Sequence, residues 1–444
     1  MKERVMELMQ EKRFGDARRE VMDLNVVDIA ELLEEFDKNQ ALILFRMLPK
    51  DTAVEVFAYL SNEQQLAIID AITDREIKHI MDELYFDDMI DFLEEMPASV
   101  VKKILKNTKE EERILINQFL NYPENSAGSL MTIEYVGLKK EMTLREALDY
   151  IKRIALDKET VYTCYVTDAN RKLEGIISLR KLVTNDEDKT VGEMMNTDVI
   201  YVHTHDDQET IAHLFKKYDL MAVPVVDKEE RLTGIITIDD IVDVIEQENT
   251  EDFQRMAAMA PSEEEYLETP VFTLAKHRIT WLLILMISAT FTGNIIRRFE
   301  DVLSSVVVLA AFIPMLMDTG GNAGSQSSTL VIRGLALGDI KLGDVLKVMW
   351  KELRVSTIVG VVMAGINFLR IFYVERVGIQ IAVTVSITMF VTVVLAKLVG
   401  GILPIAARRM KLDPAIMASP LITTIVDAVA LIVYFSMAAW ILGL

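Results

Sequence analysis

The 444-residue chain has one cysteine, Cys164, and only five histidines. A single cysteine excludes an internal disulfide. It sits in the apolar, strand-like run "TVYTCYV", which reads as a core position. The first twenty residues, "MKERVMELMQEKRFGDARRE", hold no apolar stretch of the kind a secretory signal needs, so the front half is expected in the cytosol. There is no P-loop, no glycine-rich dinucleotide motif after a strand, no nucleophile elbow and no HExxH. An enzyme therefore finds no support. His203 and His205 alternate in "YVHTHDD", but no cysteine or third histidine lies near them in the sequence to complete a zinc site. Basic residues are scarce at the front: residues 1–270 hold 32 Lys+Arg against 59 Asp+Glu, a balance of −27. Such a surface repels nucleic-acid phosphate and suits a cationic partner. From residue 271 the balance reverses to +6, with 15 bases and 9 acids in an apolar background.

What is present divides the chain into three kinds of segment. Residues 1–125 show apolar positions at three- and four-residue spacing only, as in "VVDIAELLEEF", which predicts helices. A faint repeat starts at residues 23, 47, 71 and 95, a step of 24, and predicts a short solenoid-like stack, with an ordinary helical bundle as the alternative. Residues 126–190 and 191–250 are two copies of a small α/β unit. "YVTDANRKLEGIISLRKLV" and "PVVDKEERLTGIITIDDIV" align without a gap, matching Asp168 to Asp227, Gly175 to Gly234 and Ser178 to Thr237. The two copies resemble a tandem pair of CBS domains. That resemblance implies an adenine-nucleotide site, ATP for example, with a Thr/Ser-x-x-Asp element on the ribose. The second copy has it as Thr237 and Asp240, whereas the first has Lys181 in place of the aspartate.

Residues 251–275 are expected to form a connecting helix, and residues 276–444 an all-α membrane domain. Five apolar runs of about the length a spanning helix needs fall near 279–296, 302–332, 355–373, 379–405 and 414–442. Lys and Arg are more frequent in the flanks that would share a side with the front half, which predicts a cytosolic front half and an external C-terminus. The second run contains "PMLMDTGGNAGSQSS", with a proline, three glycines and several polar groups. Non-helical backbone and polar groups at membrane depth belong where protein or a water-filled cavity satisfies them, and an interrupted span often marks a substrate path. Asp318, Gly320, Gly321, Asn322, Gly324 and Gln326 are thus expected to line a pore; close helix packing is the other use of such glycines. Asp427 falls in the middle of the last run, with Thr423 and Thr424 on the same helical face. Asp318 and Asp427 read as the only acids well inside the runs, and Lys397 as the only base. Sparse carboxylates with hydroxyls and carbonyls, and no cysteine or histidine cluster, suit a hydrated hard cation such as magnesium better than copper or zinc.

The order of helical domain, CBS pair, connecting helix and five spans resembles the MgtE family of magnesium channels, as do "TGGNAGSQS" and "LDPAIMASPLITTIVD". The resemblance implies a homodimer with the pore on its two-fold axis and magnesium held by Asp427. It also implies that cytosolic magnesium holds the pore shut through Glu55, Asp87, Asp91, Asp219, Asp240, Asp243, Glu248, Glu251 and Asp252, with Asp413 near the pore mouth. Two rivals stand beside a magnesium channel: a broader pathway for cobalt, nickel or manganese, and a membrane-anchored sensor that conducts nothing. An acid in mid-span argues against the sensor, since an anchor needs none.

Overall fold

The computed structural model describes residues 1–262, 266–267, 269–417 and 419–443. Contacts divide the chain into two compact units, Met1–Ile245 and Glu246–Leu444.

The first unit begins with ten short helices, α1 (Lys2–Gln10) to α10 (Glu110–Phe119). Eight successive ones, from α3 (Val26–Glu34) through α4 (Lys38–Met47), α5 (Lys50–Ala58), α6 (Asn62–Ala71), α7 (Asp74–Glu83), α8 (Phe86–Glu95) and α9 (Ala98–Asn107) to α10, start 12 residues apart. The 24-residue sequence step is therefore two helices. Five of them start at a residue suited to the task. Asn25, Asp37 and Thr73 accept from free amide groups of the first turn, while Pro49 and Pro97 stand just before a helix, where no N–H is needed. Alternate helices touch, α3 with α5, α5 with α7 and α7 with α9. Ile29, Leu33, Phe57, Ile77, Ile90 and Phe92 fill the core between them.

The two α/β copies follow. In the first, β1 (Val136–Leu138) pairs parallel with β2 (Thr163–Thr167), which pairs antiparallel with β3 (Leu173–Ser178). In the second, β4 (Val202–His203), β5 (Ala222–Val226) and β6 (Leu232–Thr237) repeat the topology and the register: Cys164 faces Ile177 as Val223 faces Ile236. Cys164 is fully buried, as a core position should be. The matched aspartates shape matched turns, since Asp168 Oδ1 accepts from the amides of Asn170 and Lys172, and Asp227 Oδ1 from those of Glu229 and Arg231.

α16 (Ile238–Met256) leaves the second copy. It covers only the first six residues of the expected 251–275 helix. Ala258 takes a left-handed conformation, the Met259 amide turns back to the Gln254 carbonyl, and Pro261 follows. The Gln254 side chain then clasps both the amide and the carbonyl of Ser262, at 2.6 and 2.8 Å. These are stop signals that helix periodicity alone does not show.

Among the described residues the second unit holds five helical segments long and apolar enough to cross a membrane, Val271–Arg298, Val307–Ala336, Leu342–Glu375, Ile379–Arg409 and Pro414–Leu442. Their main α-helices are α17 (Val271–Arg298), α19 (Ile313–Ala336), α20 (Val345–Leu369), α21 (Ile379–Arg409) and α22 (Ser419–Leu442), with the short α18 (Glu300–Ser305) after the first. α19, α21 and α22 pack against one another around Leu316, Ala323, Met389, Val393, Val426 and Tyr434.

Candidate functional site

α19 corrects one expectation. The stretch "DTGGNAGSQSS" is continuous α-helix, and the irregular part lies ahead of it, in a 3-10 segment at Val307–Phe312. Pro314 falls in the first turn, where it costs no hydrogen bond. With no water to serve the backbone, the helix is the state that satisfies every N–H and C=O despite the glycines.

This helix has two unlike faces. Gly320, Gly321 and Gly324 are buried in helix contacts. A Cβ on Gly320 would meet Thr392 and Val426 at 2.9 and 3.0 Å, one on Gly321 would meet Thr423 at 2.9 Å, and one on Gly324 would meet Ile422 at 2.8 Å. Asp318, Asn322 and Gln326, spaced by four, form an exposed polar stripe. The glycines thus form the packing seam, and the polar side chains of the stripe face outward from this chain's bundle.

Asp427 on α22 is half-buried. Among the described residues its Oδ1 has no hydrogen-bond partner, and Asp318 is the acid whose charge acts on it. An orphaned carboxylate oxygen at this depth is expensive unless a cation serves it. Thr424 Oγ1 donates to the Pro420 carbonyl at 3.0 Å, and Thr423 packs on Gly321, so these hydroxyls also shape local helix contacts. The inventory of charges inside the spans needs a correction. Glu352 on α20 is 9% exposed and belongs to the third spanning segment, which starts earlier than its apolar run suggested. Lys397 on α21 is 5% exposed.

In the first unit, α8 brings Asp87, Asp88 and Asp91 close to Asp239 and Asp240 at the start of α16. Burial, then the charges of Asp240 and Asp88, push Asp87 well above the usual carboxylate range. Burial and Asp239 raise Asp88 to about 6. Asp91 keeps contact with solvent, yet desolvation together with Glu94, Asp240 and Asp88 raises it to about 7. Desolvation and Asp239 raise Glu159 to about 7. Desolvation raises Asp240 to about 6, against the hydrogen bond from Thr237. Glu134 joins by capping α8, accepting from the Phe86 amide at 3.3 Å. Sequence reading found Asp87, Asp91 and Asp240 but not Asp88, Glu134, Glu159 or Asp239, which only long-range packing assembles. The set is all carboxylate and short of compensating base, as a hard cation requires. Among the described residues, no three acids or histidines converge on one ion position, so water must complete any coordination shell.

Of the other expected residues, Glu55 adjoins this cluster, since Asp87, Glu134 and Glu159 act on the same Tyr85. Glu55 is exposed on α5, where its charge acts on Tyr85. Asp219 is the left-handed cap of α15 (Gln208–Tyr218), and Asp243 is exposed on α16. In the second unit, Glu248 and Asp252 are half-buried. Arg255 bridges Glu251 and Asp413, so an arginine already compensates these two carboxylates. At the nucleotide element, Thr237 Oγ1 donates to Asp240 Oδ2 at 2.8 Å. In the first copy Lys181 turns away to the Met194 carbonyl.

Known families match along most of this length: the MgtE intracellular N domain at 24–125, the CBS domain at 127–188 and 191–247, and the divalent cation transporter MgtE at 313–437. The chain is 37% identical over 445 residues to the magnesium transporter MgtE of Thermus thermophilus, covering 99% of this chain and 98% of that one. The chain belongs to the MgtE family. To the magnesium transporter MgtE of Bacillus subtilis it is 30% identical, over 98% of this chain and 96% of the relative. A solved cytosolic domain of the magnesium channel MgtE in complex with ATP matches 55% of this chain and 100% of its own length, at 35% identity and a TM-score of 0.52. As an MgtE family member, the chain is a multi-pass membrane protein of a divalent cation transporter family, and the polar stripe and Asp427 fall within its transporter segment.

Proposed function

We propose that the protein is a magnesium channel that lets the ion into the cytosol and that cytosolic magnesium closes. The observation that carries the reading is Asp427, an acid in mid-span with one carboxylate oxygen unserved and Asp318 acting on it. Two acids and the amides of Asn322 and Gln326 attract a divalent cation that keeps part of its water, which is how magnesium travels. Relatives named as magnesium transporters over nearly the whole length support that cargo. The exposed stripe on α19 favours a homodimer in which two such stripes enclose the path. The basic flanks favour a cytosolic front half and an external C-terminus.

For closure, the excess charge among Asp87, Asp88, Asp91, Asp240 and Glu159 supplies the energy. A bound divalent cation relieves that repulsion and so favours the compact arrangement of this unit. A cation moves the gate only through such a difference between states. In the second unit Glu248 and Asp252 act in the same sense, and Glu251 and Asp413 would join them only in a state where Arg255 releases them. ATP at Thr237 and Asp240 is the matching nucleotide reading, supported by the ATP complex of the related cytosolic domain. The test is ion flux in reconstituted vesicles with magnesium set separately on each side. Uptake that falls as magnesium is raised on the cytosolic face supports the reading. Flux indifferent to that side removes the gating half, and no flux at all removes the whole.

A further inference from the structure

Lys397 is buried inside the membrane unit, and among the described residues no carboxylate bonds to it directly. Its Nζ reaches two oxygens, Gln326 Oε1 at 3.4 Å and Ser327 Oγ at 3.5 Å. Ser327 Oγ in turn lies 2.6 Å from Glu352 Oε2. The direction of these bonds follows from the groups. An ammonium only donates and an ionised carboxylate only accepts, so the serine gives its one proton to Glu352 and accepts from Lys397. A single hydroxyl thus bridges a positive and a negative side chain from different helices, α21 and α20, on a third, α19. The two charged ends lie within about 6 Å of each other, since both contact one oxygen. Neither ion would persist alone at this depth. The sequence inventory missed the pair because Glu352 lay outside the expected run.

The pair's position gives it more than a structural part. Gln326, which Lys397 holds by its carbonyl oxygen, is the last of the three polar residues on the exposed stripe. The ammonium therefore stands beside the surface that the proposed function assigns to the ion path. A lone ammonium there would repel cations. Glu352, bonded to the same Ser327 hydroxyl, offsets that field.

We propose that Lys397 and Glu352 form a Ser327-bridged charge pair whose two fields balance at the Gln326 end of the polar stripe, so that removing either charge alone alters the passage of doubly charged ions more than that of singly charged ones. This rests on the reading of the stripe as ion-lining. An electrostatic potential acts on an ion in proportion to its charge, so any change in the pair alters divalent passage by roughly the square of the factor for a monovalent ion. Lys397 and Glu352 are positioning residues here, acting on the ion through the field and through Gln326.

The experiment compares four full-length variants with the parent in vesicles: Glu352→Gln, Lys397→Met, the double variant, and Asn322→Leu as a check on the stripe. Each is first checked for thermal melting in detergent. Magnesium uptake is measured, then sodium uptake without divalent ions. Glu352→Gln is expected to lower magnesium uptake roughly tenfold and sodium uptake about threefold, following the valence rule. Lys397→Met is expected to shift the magnesium concentration for half-maximal uptake downward. The double variant should return close to the parent in both. Asn322→Leu should reduce uptake. If Asn322→Leu leaves uptake unchanged, the stripe does not line the path, and both the stripe reading and the pair's role fall. If it reduces uptake but the double variant only adds the losses of the two singles, or the singles match the parent, the stripe stands and the charge pair is overturned. Should a single variant fail to fold, the near-isosteric double variant decides: uptake at parental level with unpaired charge absent supports the pair, and uptake lost with melting intact overturns it.

Discussion

Gly324 and Gly400 approach backbone to backbone: a Cβ on Gly400 would lie 2.2 Å from the Gly324 carbonyl oxygen. No rotamer change relieves that overlap, because the obstacle is main chain. α19 and α21 can meet this closely only with glycine on α21.

Gly400→Ala is therefore expected to force the two helices apart and destabilise the membrane unit by about 1–3 kcal/mol. Thermal melting of the detergent-solubilised protein measures it. Gly365, whose added Cβ would meet nothing within 4 Å, is the control, and Gly365→Ala should melt at or above the parental temperature. Equal melting of Gly400→Ala and parent would show that the contact can relax.

Asp427→Asn keeps the shape of the side chain and removes its charge. Magnesium uptake should fall by tenfold or more, since the loss of about 1.4 kcal/mol of attraction already gives a factor of ten. Melting should stay at or above the parental value, because a buried, unserved carboxylate oxygen has become an amide. Parental uptake would place the ion path elsewhere.

The acidic cluster predicts a pH dependence with a definite sign. Asp91 and Glu159 titrate near 7, and Asp88 and Asp240 near 6, all above the usual carboxylate range. Between about pH 4 and 7 the folded unit thus holds more protons than the unfolded chain, and its stability falls as pH rises through that window. Without divalent cations, amides of α8 and the start of α16 should be better protected from hydrogen exchange at pH 5.5 than at pH 8, after correction for intrinsic rates. Millimolar magnesium should restore protection at pH 8 and add little at pH 5.5. Protection that rises with pH in the absence of divalent ions would contradict the crowding of these carboxylates.

Thr237→Val removes the hydroxyl that donates to Asp240. ATP binding measured by calorimetry should weaken roughly three- to tenfold, the range expected for one lost hydrogen bond. Ser178→Ala in the first copy should leave it unchanged, because Ser178 only caps a helix by accepting from the Lys181 amide. The reverse pattern would move the nucleotide to the first copy.

Local signals were legible in the sequence. The matched Asp168 and Asp227 fold identical turns, and a 24-residue step was enough to find the helical stack. Asp427 stood out because an acid in an apolar run has no local excuse. Features set by distant packing were not legible. Glu134 reaches the first amide of α8 across 48 residues of chain. Glu352 hid in a stretch dense with Lys347, Lys351 and Arg354, which reads as a flank until the helix is seen to start at Val345. The glycine run misled for a physical reason. Glycine weakens helices in water, where the backbone can turn to solvent, but inside a membrane it marks where two helices touch.

The regular spacing of helix starts, every 12 residues from Val26 to Glu110, imposes an arithmetic of parity on the front of this protein. Odd-numbered helices rest on odd-numbered ones, so losing one helix would exchange the two sets from that point onward and turn apolar faces to solvent. Losing two restores the alternation. The domain can therefore lengthen or shorten by 24 residues and remain a folded stack. Each such change would carry α8 and its carboxylates one full storey along, so the length of the stack is itself a setting for where charge is presented.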